Sequence, residues 1–396
     1  MKKYAYIFSS PIVRIALIIA LFNAWLWVPI WVLYYRRFTD YGGVALLEGL
    51  SMAVSMMMIV PGGLLSDWIG RTRLLIVSSV FASLGAFGAG WSTSYSMLVP
   101  SILLMAMAGG LYQASIQALL YDILKNAHLE DRYERILGKS MMIQMLSAGL
   151  SSAVGGFLYT IDPRLPWFGV SILTVLSIPV ILTIQEPQRE TLHDSFSQFL
   201  KEAGKGIRLL LQKEWRIGLP LLFVGIFLTT DSAGLWDIQA VEYGFSSTQL
   251  GFLLTATYLA LATVSFSMPR LLRKVPEKYV LIGFGTAFAI AWFLSSYVVG
   301  IFGALFLIVR SMLSVTFDLK ASVIWNRKIP SSIRATTLSS ISIIRGLPYV
   351  FVSWIMGKLL ESVGVNILVR IFSVSMILLF LWMLRVWRKE KYIGSL

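Results

Sequence analysis

The stretch GLLSDWIGRTR, Gly63–Arg73, decides the fold of this chain. It places a compact charged turn between two long apolar segments. Asp67 stands at the end of the first segment, and Arg71 and Arg73 open the second. Gly70 lies between them, where the absence of a Cβ permits the chain to reverse. The stretch therefore predicts a tight turn that joins two consecutive helices.

A chain of 396 residues with 57% hydrophobic and 14% charged residues is too apolar for a soluble globular protein, in which about a quarter of the residues are charged. Apolar runs of about 20 residues, enough for a helix to cross about 30 Å of hydrocarbon, recur along the whole sequence. Their uniform apolarity excludes the short alternating strands of a barrel. The sequence therefore predicts an all-α membrane protein with 12 transmembrane helices, at about 11–34, 44–65, 74–93, 98–123, 139–160, 167–184, 217–237, 248–268, 279–294, 299–324, 335–358 and 366–387.

The basic residues are distributed unevenly along the chain, whose net charge is +14. With the N-terminus placed in the cytoplasm, 24 of the 34 Lys and Arg residues fall in cytoplasmic segments, and the opposite loops hold only Arg36, Arg37 and Arg164. This asymmetry is what the positive-inside rule predicts. We expect a multi-pass protein of the cell membrane with both termini in the cytoplasm, whose basic charge meets lipid headgroups rather than nucleic acid.

The two halves of the chain resemble each other weakly. Similar residues precede the second and the eighth predicted helices: Tyr41, Gly42 and Leu47–Gly49 in the first half, and Tyr243, Gly244 and Leu250–Gly251 in the second. Such internal similarity is typical of transporters made of two related bundles. We therefore expect two pseudo-symmetric six-helix bundles, at 1–185 and 217–396, joined by a cytoplasmic linker at 186–216.

The linker interleaves apolar and basic residues at near-helical spacing. This pattern is typical of an amphipathic helix that lies at the membrane interface. It is equally typical of a helix that simply bridges the two halves. Both interpretations stay open.

Three stretches resemble the major facilitator superfamily. The pattern of Gly63–Arg73 is similar to the family's signature between the second and third helices. Pro330–Ser340, PSSIRATTLSS, and Ala118–Ser140, which contains the pair Tyr121-Asp122, resemble its drug-exporter-like branch. The resemblance implies the family's fold and transport by alternating access about a central cavity.

The resemblance also implies a cytoplasmic gate, formed by Gly63, Asp67, Gly70, Arg71, Arg73, Asp122 and Arg334. In it, Gly63 permits close helix packing, and Asp67 sits against the start of the eleventh helix when the cytoplasmic side is closed. Arg71 and Arg73 anchor to headgroups or to Asp67. Arg334 lies where it can meet an acid of the other half. Asp122 either joins this network or, like many acids at helix ends, faces water.

Two departures from the family's pattern count against proton antiport. The fifth helix carries SAGLSSAVGG at Ser147–Gly156, in which serines replace the proline and the earlier glycines of the antiporter signature. The fourth helix reads MAMAGG at Met105–Gly110, where proton-coupled members often carry a membrane-embedded arginine.

Three ionisable residues lie at membrane depth, where each costs about 2.5–3.5 kcal/mol or more. Arg310 and Arg345 each lie about 16 Å into their helices, and Asp231 lies slightly further outward. The two arginines can bind an anionic substrate, with Asp231 as a protonatable coupling site. Alternatively, Asp231 forms a buried structural ion pair with one arginine and leaves the other to a carbonyl or water.

The N-terminal half offers amide and aromatic groups instead of charges. Asn23 and Trp27 lie four residues apart on one face of the first helix, and Gln113 and Gln117 repeat this spacing on the fourth, with Tyr112 beside them. Such a wall suits an amphipathic organic solute. A tryptophan stripe also packs commonly at the membrane interface, so direct solute contact is one of two interpretations.

Several kinds of chemistry are missing from the sequence. The two histidines fall in predicted cytoplasmic segments, there is no cysteine, and no GxxxxGK[ST] run is present. We therefore expect no metal site, no cofactor, no ATPase and no enzyme.

The sequence predicts a secondary transporter that exports an amphipathic or anionic, drug-like small molecule, coupled to protons. Its expected partners are the solute, protons and membrane lipid, and a monomer is expected. One alternative is a uniporter or importer of an organic anion. Another, of a different class, is a non-transporting membrane sensor or a lipid scramblase on the same scaffold.

Overall fold

The computed structural model of the protein describes residues 10–186, 218–272, 275–329 and 334–389, and helices are the only regular elements in these ranges. Apart from Glu186, the predicted linker at 186–216 lies outside them. The α-helices of the described residues are α1 (Pro11–Phe22), α2 (Trp31–Tyr35), α3 (Tyr41–Ile69), α4 (Arg71–Trp91), α5 (Tyr95–Asn126), α6 (Tyr133–Ile161), α7 (Leu165–Leu182), α8 (Gly218–Thr230), α9 (Trp236–Glu242), α10 (Ser247–Leu271), α11 (Glu277–Ser295), α12 (Gly300–Lys328), α13 (Arg334–Val363) and α14 (Val365–Lys389).

Within the described residues, ten helices are long and apolar enough to cross a membrane. One of these ten spans is the continuous segment Pro220–Glu242, which comprises α8 and α9. Two shorter apolar helices, Pro11–Phe22 and Tyr279–Ser295, lie where the first and the ninth transmembrane helices are predicted. The all-α membrane fold is therefore confirmed, with ten spans of full length and two shorter helices.

The predicted first helix, 11–34, is not continuous. It ends at Phe22 and resumes at Trp31, and turns connect the two parts. Asn23 ends α1, because its side-chain amide donates a hydrogen bond to the carbonyl of Ile19 at 2.8 Å. Pro29, which has no backbone N–H to donate, lies within the turns. Apolarity continues across this segment, so hydropathy alone does not reveal the break.

The predicted seventh helix, 217–237, is also interrupted. Between α8 and α9 the chain forms a π-helical turn, Asp231–Leu235. Gly234 lies in this turn with φ 153°, a backbone conformation that L side chains rarely adopt. The backbone of Gly234 is not helical, so the chain is kinked here; π-helical interruptions occur frequently at functional sites.

The chain forms two compact units. The first comprises the described residues of 1–40, 49–193 and 246–259, and the second those of 41–48, 194–245 and 260–396. The start of α3 thus belongs to the second unit and the start of α10 to the first. The division into bundles at residues 185 and 217 stays a prediction.

In the first unit, helices approach each other at glycines. A Cβ at Gly110 would lie 2.4 Å from the carbonyl oxygen of Ser55, and a Cβ at Gly156 would lie 2.3 Å from that of Ser247. Small residues allow membrane helices to pack backbone against backbone, where dispersion and weak hydrogen bonds replace the hydrophobic effect. A buried cluster, which includes Ile15, Leu119 and Ile181, joins α1, α5 and α7.

In the second unit, the first turn of α3 sits on α13. A Cβ at Gly357 would lie 2.3 Å from the carbonyl oxygen of Tyr41. The carboxylate of Glu361 accepts a hydrogen bond from the backbone N–H of Tyr41 at 2.7 Å, and the Tyr41 hydroxyl donates to the carboxylate of Glu242. An acid at a helix N-terminus satisfies an otherwise unpaired N–H and faces the positive end of the helix dipole.

The close approach of α6 to the break in the first helix gives a test of this packing. A Cβ at Gly155 would lie 1.9 Å from the carbonyl oxygen of Leu26, and backbone cannot rotate away as a side chain can. We expect Gly155→Ala to lower the free energy of unfolding by about 1–3 kcal/mol or more. Thermal unfolding of the purified protein measures this change.

Gly138, on the same helix, is the matched control, because a Cβ there would meet nothing within 4 Å among the described residues. Gly138→Ala should leave stability unchanged or raise it by about 0.5–1 kcal/mol through helix propensity. Equal melting temperatures for the two variants would contradict the packing described here.

Candidate functional site

The charged turn Gly63–Arg73 joins α3 to α4. Gly70 has φ 110°, and α3 ends one residue before it while α4 begins one residue after it. The close packing expected at Gly63 occurs instead at Gly62, whose Cβ would lie 3.0 Å from the Cβ of Ala114. A Cβ at Gly63 would meet nothing within 4 Å among the described residues, because it points to another side of α3.

Arg71 fixes the turn to α5. Its guanidinium forms an ion pair with the carboxylate of Asp122 and donates a hydrogen bond to the carbonyl of Ala118. The two charged side chains retain only 16% and 13% of their exposure. Of the two interpretations of Asp122, the geometry therefore matches the one in which this acid joins the charges of the turn.

Glu186 completes this cluster, although sequence reasoning did not single it out. Its carboxylate accepts the backbone N–H groups of Arg71 and Thr72 at 2.8 and 3.0 Å, together with the Thr72 hydroxyl. It thereby satisfies N–H groups that the first turn of α4 leaves unpaired, at the positive end of the helix dipole. The available signal was an acid two residues beyond the end of a long apolar run.

The other gate residues are less closely defined. Asp67 is half-buried and Arg73 is exposed. Arg334 is the first residue of α13, but its side chain lies outside the described part of the chain, as do residues 330–333. The expected contact of Asp67 with the start of this helix therefore stays a prediction.

Arg310 lies in a sealed polar network in the second unit. Its side chain is fully buried, and its Nη2 lies 3.0 Å from Oδ1 of Asp231, which is 7% exposed. Its Nη1 donates to Oε1 of Gln239 at 2.7 Å and to Oγ of Ser295 at 3.3 Å. Burial with these partners matches the structural ion pair and leaves no open face for a solute.

This network connects the two sides of the π-helical turn. Asp231 opens the turn, whereas Gln239 lies on α9 beyond it, and Arg310 bonds to both. The hydroxyl of Tyr349 donates to the carbonyl of Ala233 inside the turn at 3.0 Å. These bonds compensate the regular helical hydrogen bonds that the turn interrupts.

Arg345 forms a second ion pair, with Asp318 rather than with Asp231. Its Nη2 lies 3.0 and 3.1 Å from the two carboxylate oxygens of Asp318. The side chains are 22% and 39% exposed, and Nη1 of Arg345 has no hydrogen-bond partner among the described residues. Asp318 lies ten residues before the end of α12, about 15 Å from that end along the helix axis.

The structure thus separates the predicted group of three. Asp231 and Arg310 form a sealed pair, whereas Arg345 forms an accessible pair with Asp318. Asp318 was missed because, of the acids inside the predicted helices, only Asp231 was considered together with the arginines. A carboxylate within an apolar run carries the same energetic cost as an arginine there. The same reasoning, applied to every acid, would have found it.

The amide and aromatic side chains of the first unit also fall into a buried group and an exposed group. Asn23 and Tyr112 are buried and bond to each other at 3.1 Å, and Tyr112 stacks on Phe22 with ring centroids 3.9 Å apart. Trp27 is half-buried and stacks on Trp167. In contrast, the side chains of two amides and a tyrosine form an exposed stripe on α5: Gln113, Gln117 and Tyr121.

A glycine positions the accessible pair. A Cβ at Gly225 would lie 2.4 Å from Nε of Arg345. We expect Gly225→Ala to cost about 1–3 kcal/mol of stability, because the added methyl displaces the guanidinium from Asp318. In an Arg345→Ala background the same change should be neutral or stabilising, because nothing remains for the methyl to displace.

Thermal unfolding of the four proteins of this double-mutant cycle measures the coupling. Gly283→Ala on α11 is the control, because a Cβ there would meet nothing within 4 Å among the described residues. A cost for Gly225→Ala that is the same in both backgrounds would show that Gly225 does not serve Arg345.

Long apolar helices, paired charges at membrane depth and an exposed amide stripe define a multi-pass membrane transporter of small solutes. The chain belongs to the Major Facilitator Superfamily, whose sequence profile matches residues 13–236. Members of this family are transporters rather than enzymes, which confirms both the predicted family and the expectation that the chain is not an enzyme.

Two relatives agree with the predicted drug-exporter-like branch. The quinolone resistance protein NorA of Staphylococcus aureus is 24% identical over 168 residues, which cover 41% of this chain and 42% of NorA. A Na(+), Li(+), K(+)/H(+) antiporter of Planococcus maritimus is 24% identical over 289 residues, which cover 65% of this chain and 66% of the antiporter. This chain therefore spans less than half of NorA.

Solved structures share the fold over nearly the whole chain. The nucleoside transporter NupG superposes with a TM-score of 0.76 at 15% identity, covering 96% of this chain and 98% of its own. A POT family transporter in complex with 5-aminolevulinic acid gives a TM-score of 0.70 at 13% identity, covering 94% of each chain. At these identities the likeness shows the fold alone.

Proposed function

We propose that this protein exports a small amphipathic organic solute in exchange for protons, and that Arg345 and Asp318 form the site where the two compete. The observation that carries the proposal is that this pair is partly exposed at membrane depth. The relation to a quinolone resistance protein and to a cation/proton antiporter supports the direction and the coupling.

Exposure at this depth has a physical consequence. A charged side chain in hydrocarbon costs several kcal/mol, so charges that survive there pair with one another or face water. Arg345 and Asp318 form a pair and are partly exposed, whereas Arg310 and Asp231 are buried. A solute or a proton that arrives through water therefore has access to the first pair.

The two groups together suit a solute with both an acidic and a basic group. A carboxylate of the solute can accept a hydrogen bond from the unpaired Nη1 of Arg345, in a charge-assisted contact. An amine of the solute can pair with Asp318. A proton on Asp318 removes the charge that holds the amine, so proton and solute exclude each other, as antiport requires.

A purely anionic solute would behave differently at the same site. It would compete with Asp318 for Arg345, and protonation of Asp318 would release the arginine for it. Proton and solute would then bind together and move in the same direction. The Nη1 of Arg345, which has no partner among the described residues, favours this importer of an organic anion as the second candidate.

The remaining assignments complete the proposal. In the first unit, we assign Trp27, Gln113 and Gln117 to solute contact, because two of these side chains are exposed and one is half-buried. Asp67, Gly70, Arg71 and Asp122 are assigned to a cytoplasmic gate of the kind that the family resemblance implies, together with Gly63, Arg73 and Arg334. We propose a monomer in the cell membrane with both termini in the cytoplasm.

Everted membrane vesicles test the proposal with a fluoroquinolone such as norfloxacin, which carries a carboxylate and an amine. A pH gradient should drive its accumulation, and adding the drug should release protons from acid-loaded vesicles. Asp318→Asn and Arg345→Ala should each reduce this accumulation by about tenfold or more, since each removes a charged contact worth about 1.5–3 kcal/mol.

The two variants differ in a second assay. Asp318→Asn should keep only a weak drug-for-drug counterflow that no longer depends on pH, because the amide neither carries the charge that holds the amine nor takes up a proton, whereas the residual counterflow of Arg345→Ala should still depend on pH. Asp131→Asn, at an exposed acid in the turn between α5 and α6, is the matched control and should transport like the wild type. If a pH gradient drove drug accumulation by Asp318→Asn as strongly as by the wild type, this residue would be excluded from proton coupling.

The same assays separate the alternatives. Protons that enter together with an anionic solute would indicate the importer. A protein that stays folded but shows no counterflow with any solute would indicate a sensor or a scramblase.

A further inference from the structure

We propose that Glu48 binds a second proton of the transport cycle and acts through Tyr349 on the π-helical turn Asp231–Leu235. The proposal rests on the proposed exchange of solute for protons and adds a residue to it. Glu48 belongs to the second unit, as do Tyr349 and the turn. It lies seven residues beyond the start of the membrane-spanning helix α3, about 10 Å along the helix axis.

Glu48 differs from the acids of the two central ion pairs because it has no cationic partner. Asp231 pairs with Arg310, and Asp318 pairs with Arg345. The side chain of Glu48 forms no hydrogen bond or ion pair with another described residue, and no charged side chain among these residues acts on its carboxyl group. A carboxylate without a cation is costly at membrane depth, whereas a protonated carboxyl group is much less so. Glu48 is half-buried, so this group is not sealed from a proton.

The packing of α3 on α13 directs Glu48 towards Tyr349. The first residue of α3 bonds to Glu361, and a Cβ at Gly357 would lie 2.9 Å from the Cβ of Ala45, so α3 runs along α13 towards lower residue numbers. Glu48 follows Ala45 by three residues and therefore lies on the same face of α3. Tyr349 precedes Gly357 by about two helical turns on the facing helix. At this position the charge of Glu48 acts on the hydroxyl group of Tyr349.

Tyr349 connects this interface to the π-helical turn. Its side chain is buried, and its hydroxyl donates a hydrogen bond to the carbonyl of Ala233 inside the turn at 3.0 Å. A hydroxyl has only one hydrogen to donate. An ionised Glu48 draws this hydrogen away from the carbonyl, because a charged acceptor attracts it more strongly, whereas a protonated Glu48 leaves it on Ala233. Loss of the proton therefore loosens the turn, and binding of the proton stabilises it.

The other acids near this interface have their charges offset or lie further away. Asp237 also acts on the Tyr349 hydroxyl, but its charge acts on Arg310 as well, which offsets it. Glu242 and Glu361 both accept hydrogen bonds from the first residue of α3, and neither acts on the carboxyl group of Glu48. Among the described residues, a change of protonation at Glu48 therefore alters the charge beside Tyr349 without compensation.

Infrared spectroscopy of the purified protein tests proton binding without transport. A protonated carboxyl group has a C=O band apart from those of carboxylates and amides, so the band reports the proton directly. We expect this band in the wild type near neutral pH, and it should disappear reversibly when the pH is raised. Glu48→Gln should lack the band, and Glu48→Asp should retain it at a shifted position. Glu361→Gln is the matched control, because it removes a different acid of the same helix interface, and it should keep the band.

Proton release on drug binding tests the role of Glu48 in exchange. Norfloxacin added to the unbuffered wild-type protein should release protons from both Asp318 and Glu48. Glu48→Gln should release about half as many protons per drug bound, because drug binding and proton release are reciprocally linked. Tyr349→Phe should show the same deficit while its infrared band stays intact, because it lacks only the hydroxyl that connects Glu48 to the turn.

Absence of the band from the wild type, or its persistence in Glu48→Gln, would overturn the proposal. Full proton release by Glu48→Gln or by Tyr349→Phe would also overturn it. If Glu48→Gln fails to fold, the wild-type band and Tyr349→Phe decide. Failure of the proposed function gives a different result: full proton release by Asp318→Asn, or no binding of norfloxacin, would reject the exchange site at Asp318 and leave the infrared band of Glu48 in place.

Discussion

Hydrocarbon neither solvates a charge nor hydrogen-bonds a peptide group, and the structure depends throughout on this constraint. Two charged side chains inside the helices illustrate it, because each ends on a specific partner. Lys320 donates to the carbonyl of Leu272, just beyond the end of α10, at 3.2 Å. Arg370 donates to the hydroxyl and carbonyl of Ser296, just beyond the end of α11, and its guanidinium lies 3.8 Å from the ring centroid of Tyr297.

The same constraint gives the two central ion pairs different roles. A buried pair contributes little net stability, but removing one partner leaves an uncompensated charge at a cost of about 3–5 kcal/mol. Arg310 and Asp231 therefore stabilise the interrupted helix by holding its two parts together. Arg345 and Asp318 are partly exposed, so each can change partners at lower cost. We therefore propose that exchange chemistry belongs to the accessible pair.

Much of this was predictable from the sequence, because hydropathy reports directly on burial in lipid. The helical membrane fold, the tight turn at Gly70 and the membrane depth of Arg310 and Arg345 follow from run lengths and residue types. The partners of these charges do not follow. Arg345 meets Asp318 from another helix, and Arg71 meets Asp122, only because the helices pack at particular rotations.

The breaks in the helices were not predictable either. Asn23–Ile30 and Asp231–Leu235 lie inside apolar runs, so hydropathy continues across them. What interrupts the helices is local: the Asn23 side chain that bonds back to Ile19, Pro29, and the positive φ of Gly234. Such effects are a few kcal/mol each and depend on whether neighbours compensate them, which a single sequence does not record.

The central claim is that water reaches the pair on α12 and α13 but not the pair at the π-helical turn. The chain has no cysteine, so a single introduced cysteine is the only thiol that can react with a thiol reagent. Ser342 is exposed one turn from Arg345, and Ser295 is fully buried beside Arg310. In nanodiscs, a charged methanethiosulfonate should modify Ser342→Cys readily and leave Ser295→Cys unmodified. Equal rates, or faster reaction of Ser295→Cys, would contradict the account.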